Sequence, residues 1–170
     1  MSPTPPITLL PAKPADIPLL QQLAHTIWHQ VFNHIITPAQ TDLMLSKMYD
    51  PTTLTREMSS GVVWKIMREA QTPIGYLSYS MITPGECKLH KIYLQPEKHG
   101  RGLGQQLMAD ATDFARAQHA QTISLRVNRA NFKALRAYRA FGFREVESID
   151  WEFAPGFILN DYKMAKDLSG

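Results

Sequence analysis

A strand that runs into a glycine-rich turn and then into a helix constrains this 170-residue chain more than any other feature. The stretch is residues 88–107, KLHKIYLQPEKHGRGLGQQL, with a break at Pro96 and glycines at 100, 102 and 104. Glycine permits close backbone approach, and the first N–H groups of a helix lack internal partners and lie at the positive end of its dipole. The turn is therefore predicted to bind a phosphate.

The spacing of these glycines excludes two common phosphate-binding motifs. A Walker loop requires Gly-Lys-Ser or Gly-Lys-Thr, which does not follow here. A dinucleotide fingerprint G-x-G-x-x-G requires a glycine where Gln105 stands, and it normally opens a fold rather than lying in its second half.

The motif that does match is His99-Gly100-Arg101-Gly102-Leu103-Gly104. It resembles the Q/R-x-x-G-x-G/A motif of the Gcn5-related N-acetyltransferases, whose backbone amides wrap the pyrophosphate of coenzyme A. The resemblance implies acetyl-CoA as cofactor, bound by the residues of this motif and by Gln105. His99 occupies the Gln/Arg position, which is expected to change affinity or pH dependence rather than abolish binding, because most contacts in that family are main-chain.

A second block, from Asn131 to Phe143, matches the N-x-x-A-x-x-x-Y-x-x-x-G-F pattern of the same family. Asn131 and Tyr138 are seven residues apart, about two helical turns, so one helix face is predicted to carry both, with Ala134 between them. Gly142 suits the left-handed residue that ends a helix. The resemblance makes Tyr138 the general acid that protonates the departing thiolate, and it places Asn131, Ala134 and Tyr138 in the cofactor site.

The family also implies how the strand before the turn is used. In the family the pantetheine arm hydrogen-bonds to the main chain of this strand, as an added strand would. The matching positions in this chain are Ile92, Tyr93 and Leu94. A backbone N–H of Ile92 or Tyr93 is expected to stabilise the oxyanion.

The general base is the least determined residue. Where the histone-modifying branch of the family has a glutamate, this chain has Lys88. Alternation along the strand puts Glu86 and His90 on the same side as Lys88, so either is a candidate base. Further candidates for the base are His34 and Glu152, which lie in segments that border the acceptor cleft in the family.

The predicted fold is mixed α/β and similar to that family: a twisted mixed sheet of about six to seven strands, with helices on both faces. Its N-terminal part is predicted to be antiparallel, with a central parallel pair formed by strands 88–94 and 122–127. Other strands are expected at 7–10, 62–67, 74–82, 144–149 and 157–166, and helices at about 17–35, 38–48, 52–60, after the glycine turn, and at 131–141. Residues 1–170 are predicted to form one domain with a flexible tail at 1–6.

Composition excludes several functions. The net charge is +3, but charged residues are only 19% and scattered, without the basic block of a nucleic-acid groove. No apolar run approaches the ~20 residues of a membrane span, and prolines interrupt the N-terminus where a signal peptide would be apolar. The single cysteine, Cys87, excludes an intramolecular disulfide. These features predict a soluble cytoplasmic protein with no membrane or nucleic-acid partner.

A metal site is not predicted. His25 and His29 lie one helical turn apart, but H-E-x-x-H requires a glutamate where Thr26 stands, and no third ligand is evident. Trp28 and Phe32, on the same predicted helix, are expected to be core residues by default, although the family builds part of its acceptor pocket from this region.

The predicted activity is transfer of an acetyl group from acetyl-CoA to a small-molecule primary amine, by direct attack in a ternary complex. The ending from Asp161 to Lys166 resembles the D-Y-x-M-x-K close of a subgroup that includes polyamine-type acetyltransferases, and Asp42, Asp150 and Glu152 offer further carboxylates. A non-catalytic acyl-CoA module and acetylation of a protein N-terminus or lysine are the alternatives. Family members often pair through their C-terminal strands, so the resemblance also allows a homodimer.

Overall fold

The computed structural model describes residues 3–169. Within them the strands and helices follow one another in the predicted order. They are β1 (Ile7–Pro11), α1 (Ile17–Val31), α2 (Pro38–Met48), α3 (Pro51–Ser59), β2 (Val63–Glu69), β3 (Thr72–Thr83), β4 (Glu86–Leu94), α4 (Leu103–Ala117), β5 (Thr122–Asn128), α5 (Phe132–Phe141), β6 (Arg144–Ala154) and β7 (Phe157–Asp167). No helix in this described part of the chain is long and apolar enough to span a bilayer.

The strands are hydrogen bonded in the order β1-β2-β3-β4-β5-β7-β6. The pairs β1–β2, β2–β3, β5–β7 and β6–β7 are antiparallel, whereas β4 and β5 are parallel. The mixed α/β class, the number of strands and the parallel pair are therefore confirmed. The boundaries differ most at β6, which continues to Ala154 instead of ending near residue 149, and at α1. The helix α1 ends at Val31 because the next residues turn back and the N–H groups of Ile35 and Ile36 donate to Phe32 O.

The chain divides into two compact units by its internal contacts. The described part of the first comprises residues 3–79 and 91–107, and that of the second comprises residues 80–90 and 108–169. The prediction of one domain over residues 1–170 stays a prediction. Of the predicted tail at 1–6, residues 3–6 are exposed and outside regular structure, and residues 1 and 2 lie outside the described residues.

Local sequence signals define where α2 and α3 of the first unit begin. Thr37 caps α2 by accepting from the N–H of Gln40, and Asp50 caps α3 by accepting from the N–H of Thr53. Each cap is followed by a proline at the first helical position, where a missing N–H costs nothing.

The core of the first unit contains a buried aromatic cluster held by hydrogen bonds. The indole N–H of Trp28 on α1 donates to the Tyr76 hydroxyl at 2.9 Å, and the hydroxyls of Tyr49 and Tyr76 are 2.7 Å apart. Buried polar groups of this kind are tolerated because each has a partner. The cluster fixes α1 against β3.

In the second unit, α5 is defined at both ends. The Asn131 side chain accepts from the N–H of Ala134 at 3.3 Å, so Asn131 is the N-cap and precedes the helix. That it shares a helix face with Tyr138 stays a prediction. Gly142 has a φ of +114°, and the N–H groups of Gly142 and Phe143 both donate to Tyr138 O. Gly142 therefore ends α5 in the predicted left-handed conformation.

Candidate active site

The glycine turn of the first unit presents free backbone donors at the start of α4. Gly100 and Gly102 have φ values of +83° and +77°, which residues other than glycine rarely adopt. The N–H of Gln106 donates to Gly102 O at 3.2 Å as the first bond of the helix. The N–H groups of Leu103, Gly104 and Gln105 consequently have no acceptor within α4.

The space around the glycines of this turn is open. A Cβ built on Gly100, Gly102 or Gly104 meets no described atom within 4 Å. Gly104 has an ordinary φ, so the backbone does not require glycine there. Its missing side chain leaves the start of the helix open at the point where the dipole favours an anion.

An ion-pair triad, which the sequence did not reveal, braces the turn. Glu69, the last residue of β2, accepts from Lys98 Nζ at 2.7 Å and from Arg101 Nη2 at 2.5 Å. These hydrogen bonds, that of Arg101 before that of Lys98, lower the pKa of Glu69 to about 2. Glu69 is about thirty positions from both partners in sequence, so no local pattern could have predicted the contact. Glu69 thus ties both ends of the turn to the end of β2.

Replacing Glu69 by Gln is expected to reduce the fall in the thermal midpoint as the pH is lowered. The carboxylate's folded pKa lies below its unfolded value of 4.5, so its contribution is present above pH 4.5 and is lost as the pH falls towards about 2. Thermal midpoints measured between about pH 6 and about pH 2.5 should therefore fall more steeply for the wild type than for Glu69→Gln. Glu97→Gln, at an exposed residue of the same segment, should retain the wild-type slope. Equal slopes for the wild type and Glu69→Gln would contradict the assignment.

His99, in the Gln/Arg position of the motif, contacts the protein itself. Its Nε2–H donates to Leu94 O at 3.1 Å, which joins the turn to the end of β4. The predicted effect of His99 on cofactor affinity or pH dependence stays a prediction.

The predicted pantetheine strand is packed on one side by aromatic rings. Tyr93 lies 5.3 Å from the Trp28 ring and 5.5 Å from the Tyr76 ring, measured between centroids. β3 approaches this strand closely, because a Cβ on Gly75 would lie 2.6 Å from Tyr93 O. Ile92 and Tyr93 are half-buried and Leu94 is buried. Their main-chain contacts to a cofactor stay a prediction.

The residues suggested for an acceptor pocket lie in different environments. Trp28 is 1% exposed and has the core role described above, whereas the half-buried Phe32 packs its ring 5.0 Å from the Trp28 ring. His34 is exposed in the segment after α1, and Glu152, in the second unit, is exposed on β6. The sequence could not separate Trp28 from Phe32, because helical periodicity marks an apolar face and not its depth.

The two candidate bases lie in the second unit and differ in their partners. Cys87 and Leu89 are buried while Glu86 and His90 are half-buried, which is the alternation predicted for this strand. Ser124 Oγ donates to Glu86 Oε2 at 2.6 Å, and Lys163 Nζ lies 3.4 Å from the same oxygen.

These contacts, the Ser124 hydrogen bond first, lower the pKa of Glu86. A carboxylate with a lowered pKa is a weaker base. His90 instead shares a hydrogen bond of 2.7 Å between its Nε2 and Ser80 Oγ.

Tyr138 has the protonation state that a proton donor needs. It is half-buried on α5, with its ring centroid 6.1 Å from that of Phe143. Burial raises the pKa of Tyr138 well above its ordinary value, because the phenolate would lose solvation. The hydroxyl therefore stays protonated at neutral pH.

Two of the carboxylates that could have contributed to an acidic cleft in the second unit, Asp150 and Asp161, are paired with arginines. Asp161 accepts from Arg126 at 3.2 Å and from the Trp151 indole at 3.0 Å, and Asp150 accepts from Arg129 at 2.6 Å. These partners reduce the negative charge available to a polycation.

The chain is similar in sequence to known acetyltransferases. Residues 25–143 match the model of the acetyltransferase (GNAT) family. N-alpha-acetyltransferase RimI of Mycobacterium tuberculosis is 32% identical over 102 residues, which cover 58% of this chain and 63% of that protein. Streptothricin acetyltransferase of Streptomyces lavendulae is 40% identical over 55 residues, 32% of this chain and 29% of that protein. Each match thus spans less than two thirds of the relative.

A solved structure has the same fold at low sequence identity. The PaiA N-acetyltransferase of Thermoplasma acidophilum, crystallised in complex with coenzyme A, superimposes with a TM-score of 0.81 at 20% identity, covering 95% of this chain and 99% of that one.

Proposed function

Because the chain belongs to the acetyltransferase (GNAT) family, we propose that it transfers an acetyl group from acetyl-CoA to a primary amine. The observation that carries the proposal is the open start of α4. The N–H groups of Leu103, Gly104 and Gln105 have no acceptor within the helix, and no described atom lies within 4 Å of a Cβ added at the glycines of the turn. These donors would hold the diphosphate of coenzyme A. Acetyl-CoA, when bound, supplies an acetyl group activated as a thioester.

The protein's own contribution is to move protons and to stabilise charge. An alkyl ammonium with a pKa near 10.4 is mostly charged at neutral pH, and freeing its lone pair costs about 4 kcal/mol. We propose that a backbone N–H of Ile92 or Tyr93 donates to the carbonyl oxygen as negative charge develops on it. One preorganised donor of this kind contributes about 3 to 4 kcal/mol to transition-state stabilisation. Tyr138 donates the proton that the thiol product needs, and Asn131 and Ala134 lie at the start of the helix that carries it.

His90 is the better of the two candidates for the base. Imidazole titrates near neutral pH, whereas the Ser124 hydrogen bond and the ammonium of Lys163 stabilise Glu86 as a carboxylate. His90 therefore takes the amine proton, directly or through water, whereas Glu86 stays paired with Ser124 and Lys163.

A pH profile of kcat/KM distinguishes the two. For His90→Gln we expect kcat/KM to fall about 10-fold or more and its pH profile to lose the acidic limb, because glutamine cannot take up a proton. Glu86→Gln should keep that limb, since the lowered pKa of Glu86 puts its titration at more acidic pH. An unchanged acidic limb in His90→Gln would eliminate His90 as the base.

We propose a small-molecule primary amine as acceptor. The pairing of Asp150 and Asp161 with arginines favours an amine without multiple charges over a polyamine. A peptide N-terminus is the second candidate, and the similarity to RimI, an N-alpha-acetyltransferase by name, favours it.

The proposed function is tested by following thiol release from acetyl-CoA. The purified chain is assayed with monoamines, polyamines, peptides with free N-termini, and the same peptides with blocked N-termini but free lysines. Acceptor-dependent release with any of them supports the acetyltransferase proposal, and the acceptor class follows from the panel. Saturable binding of acetyl-CoA without release would instead identify a binding module, and failure to bind acetyl-CoA would overturn the proposal.

A further inference from the structure

Two histidines and an aspartate converge at the surface of the first unit. His25 and His29 lie one turn apart on α1, and α2 supplies the third ligand that the sequence did not reveal, Asp42. Asp42 Oδ1 lies 2.7 Å from His29 Nε2 and 3.8 Å from His25 Nε2. One potential ligand atom from each residue lies within 4.8 Å of the other two.

The local structure fixes this arrangement. The Thr37–Gln40 capping box defines the first turn of α2, and the next residue, Thr41, is buried and donates its hydroxyl to Thr37 O at 3.2 Å. Asp42 follows directly and remains 60% exposed at its side chain. On α1, the neighbouring Trp28 is locked in the core by its hydrogen bond to Tyr76. The backbone positions of the cluster are therefore set by packing on both helices.

An exposed His–Asp ion pair is the simpler explanation, but it accounts for only one of the two histidines. Exposed pairs contribute little to stability, and His29 alone would satisfy Asp42. His25 nevertheless approaches the same carboxylate oxygen, and the two imidazole rings lie 4.6 Å apart between centroids. Metal–ligand bonds of about 2.0–2.2 Å at tetrahedral angles require ligand atoms about 3.3 Å apart. Shifts of about 1 Å, within reach of exposed side chains, would give that geometry.

We propose that His25, His29 and Asp42 bind a divalent transition-metal ion. Imidazole nitrogens favour zinc and its neighbours in the first transition row over magnesium and calcium, which prefer oxygen ligands throughout. Three protein ligands leave a fourth position open, as in zinc sites that bind water or substrate. His25 and Asp42 also line a cavity of about 420 Å³, so two of the three ligands border a space of small-molecule size. The other residues of the cavity are Gln21, Leu45, Ser46, Tyr49, Asp50 and Pro51.

Zinc titration of the full, tag-free chain tests this site, with a chromophoric chelator as competitor. We expect one Zn²⁺ per chain with a micromolar or lower Kd. His25→Gln, His29→Gln and Asp42→Asn should each weaken binding about 10-fold or more, because each removes one ligand. Zinc should also raise the thermal midpoint of the wild type and not that of His29→Gln, because a ligand that binds only the folded state stabilises it.

The controls match the chemistry of the substitutions. Asp113→Asn changes an exposed aspartate outside the cluster, and His119→Asn changes a histidine whose φ of +61° asparagine tolerates. Both should bind zinc as the wild type does, and circular dichroism should show all variants folded. Absence of saturable binding would overturn the site. So would wild-type affinity in any of the three ligand variants, because the proposal requires all three residues.

Discussion

Tyr138→Phe is expected to lower kcat about 100-fold while leaving the affinity for coenzyme A within about 2-fold of wild type, because it removes a proton donor and keeps the ring. Phenylalanine retains the packing of the ring against Phe143, 6.1 Å away between centroids. Since burial raises the pKa of Tyr138, the hydroxyl is protonated throughout the pH range of an ordinary assay. The loss in kcat should therefore be uniform across neutral and mildly alkaline pH.

Steady-state kinetics of thiol release, together with calorimetry of coenzyme A binding, measure both quantities. Tyr162→Phe is the matched control, because Tyr162 is a half-buried tyrosine of the same unit whose ring faces Arg129 at 5.7 Å. Its kcat should remain close to that of the wild type. A kcat for Tyr138→Phe within about threefold of wild type would remove the hydroxyl from the mechanism.

Features that depend on a few consecutive residues could be predicted from the sequence. Thr37 before Pro38 marked the start of α2, and Gly142 marked the end of α5 with the expected positive φ. The glycine turn between β4 and α4 was predicted for the same reason, since each of these signals acts through the backbone of its own residue or of near neighbours. The order of strands and helices followed from these boundaries and from the parallel crossover rule.

Side-chain contacts between distant segments could not be predicted in this way. Glu69 meets Lys98 and Arg101 only because the turn after β4 lies near the end of β2. Asp42 meets the α1 histidines only because α2 packs beside α1. Periodicity shows which face of an element is buried, but it does not show which residue of another element lies opposite that face.

Asn131 shows a different limit, because one residue type serves two roles. The seven-residue spacing between Asn131 and Tyr138 predicts a shared helix face, and the family resemblance implies that Asn131 contacts the cofactor. Asparagine is also a preferred N-cap, and here its side-chain oxygen accepts from the N–H of Ala134. The cap uses only the side-chain oxygen, so the amide NH₂ of Asn131 can still contact a ligand. The sequence alone did not identify the capping role.

Gly104→Glu is expected to weaken coenzyme A binding at least about 100-fold, or about 2.8 kcal/mol at 1.4 kcal/mol per tenfold, without destabilising the fold. Gly104 has an ordinary φ, and a Cβ added there would have no described atom within 4 Å, so the side chain can be accommodated in the free protein. A carboxylate in the first turn of a helix interacts favourably with the helix dipole, so the thermal midpoint should be unchanged or higher. The same carboxylate fills the space at the helix start and repels a diphosphate.

Calorimetric titration with coenzyme A and thermal unfolding separate these two effects. Gln106→Glu adds the same charge at an exposed residue of the same turn, and Gly104→Ala adds a methyl group without charge. Both should bind coenzyme A much more tightly than Gly104→Glu does, because Gly104→Ala adds no charge and Gln106 lies beyond the three residues whose N–H groups lack a helix partner. If Gly104→Glu bound coenzyme A with wild-type affinity, the diphosphate could not lie at this turn. If it lost binding together with stability, the effect would reflect damage to α4 rather than a blocked site, and the open helix start would no longer support the proposed function.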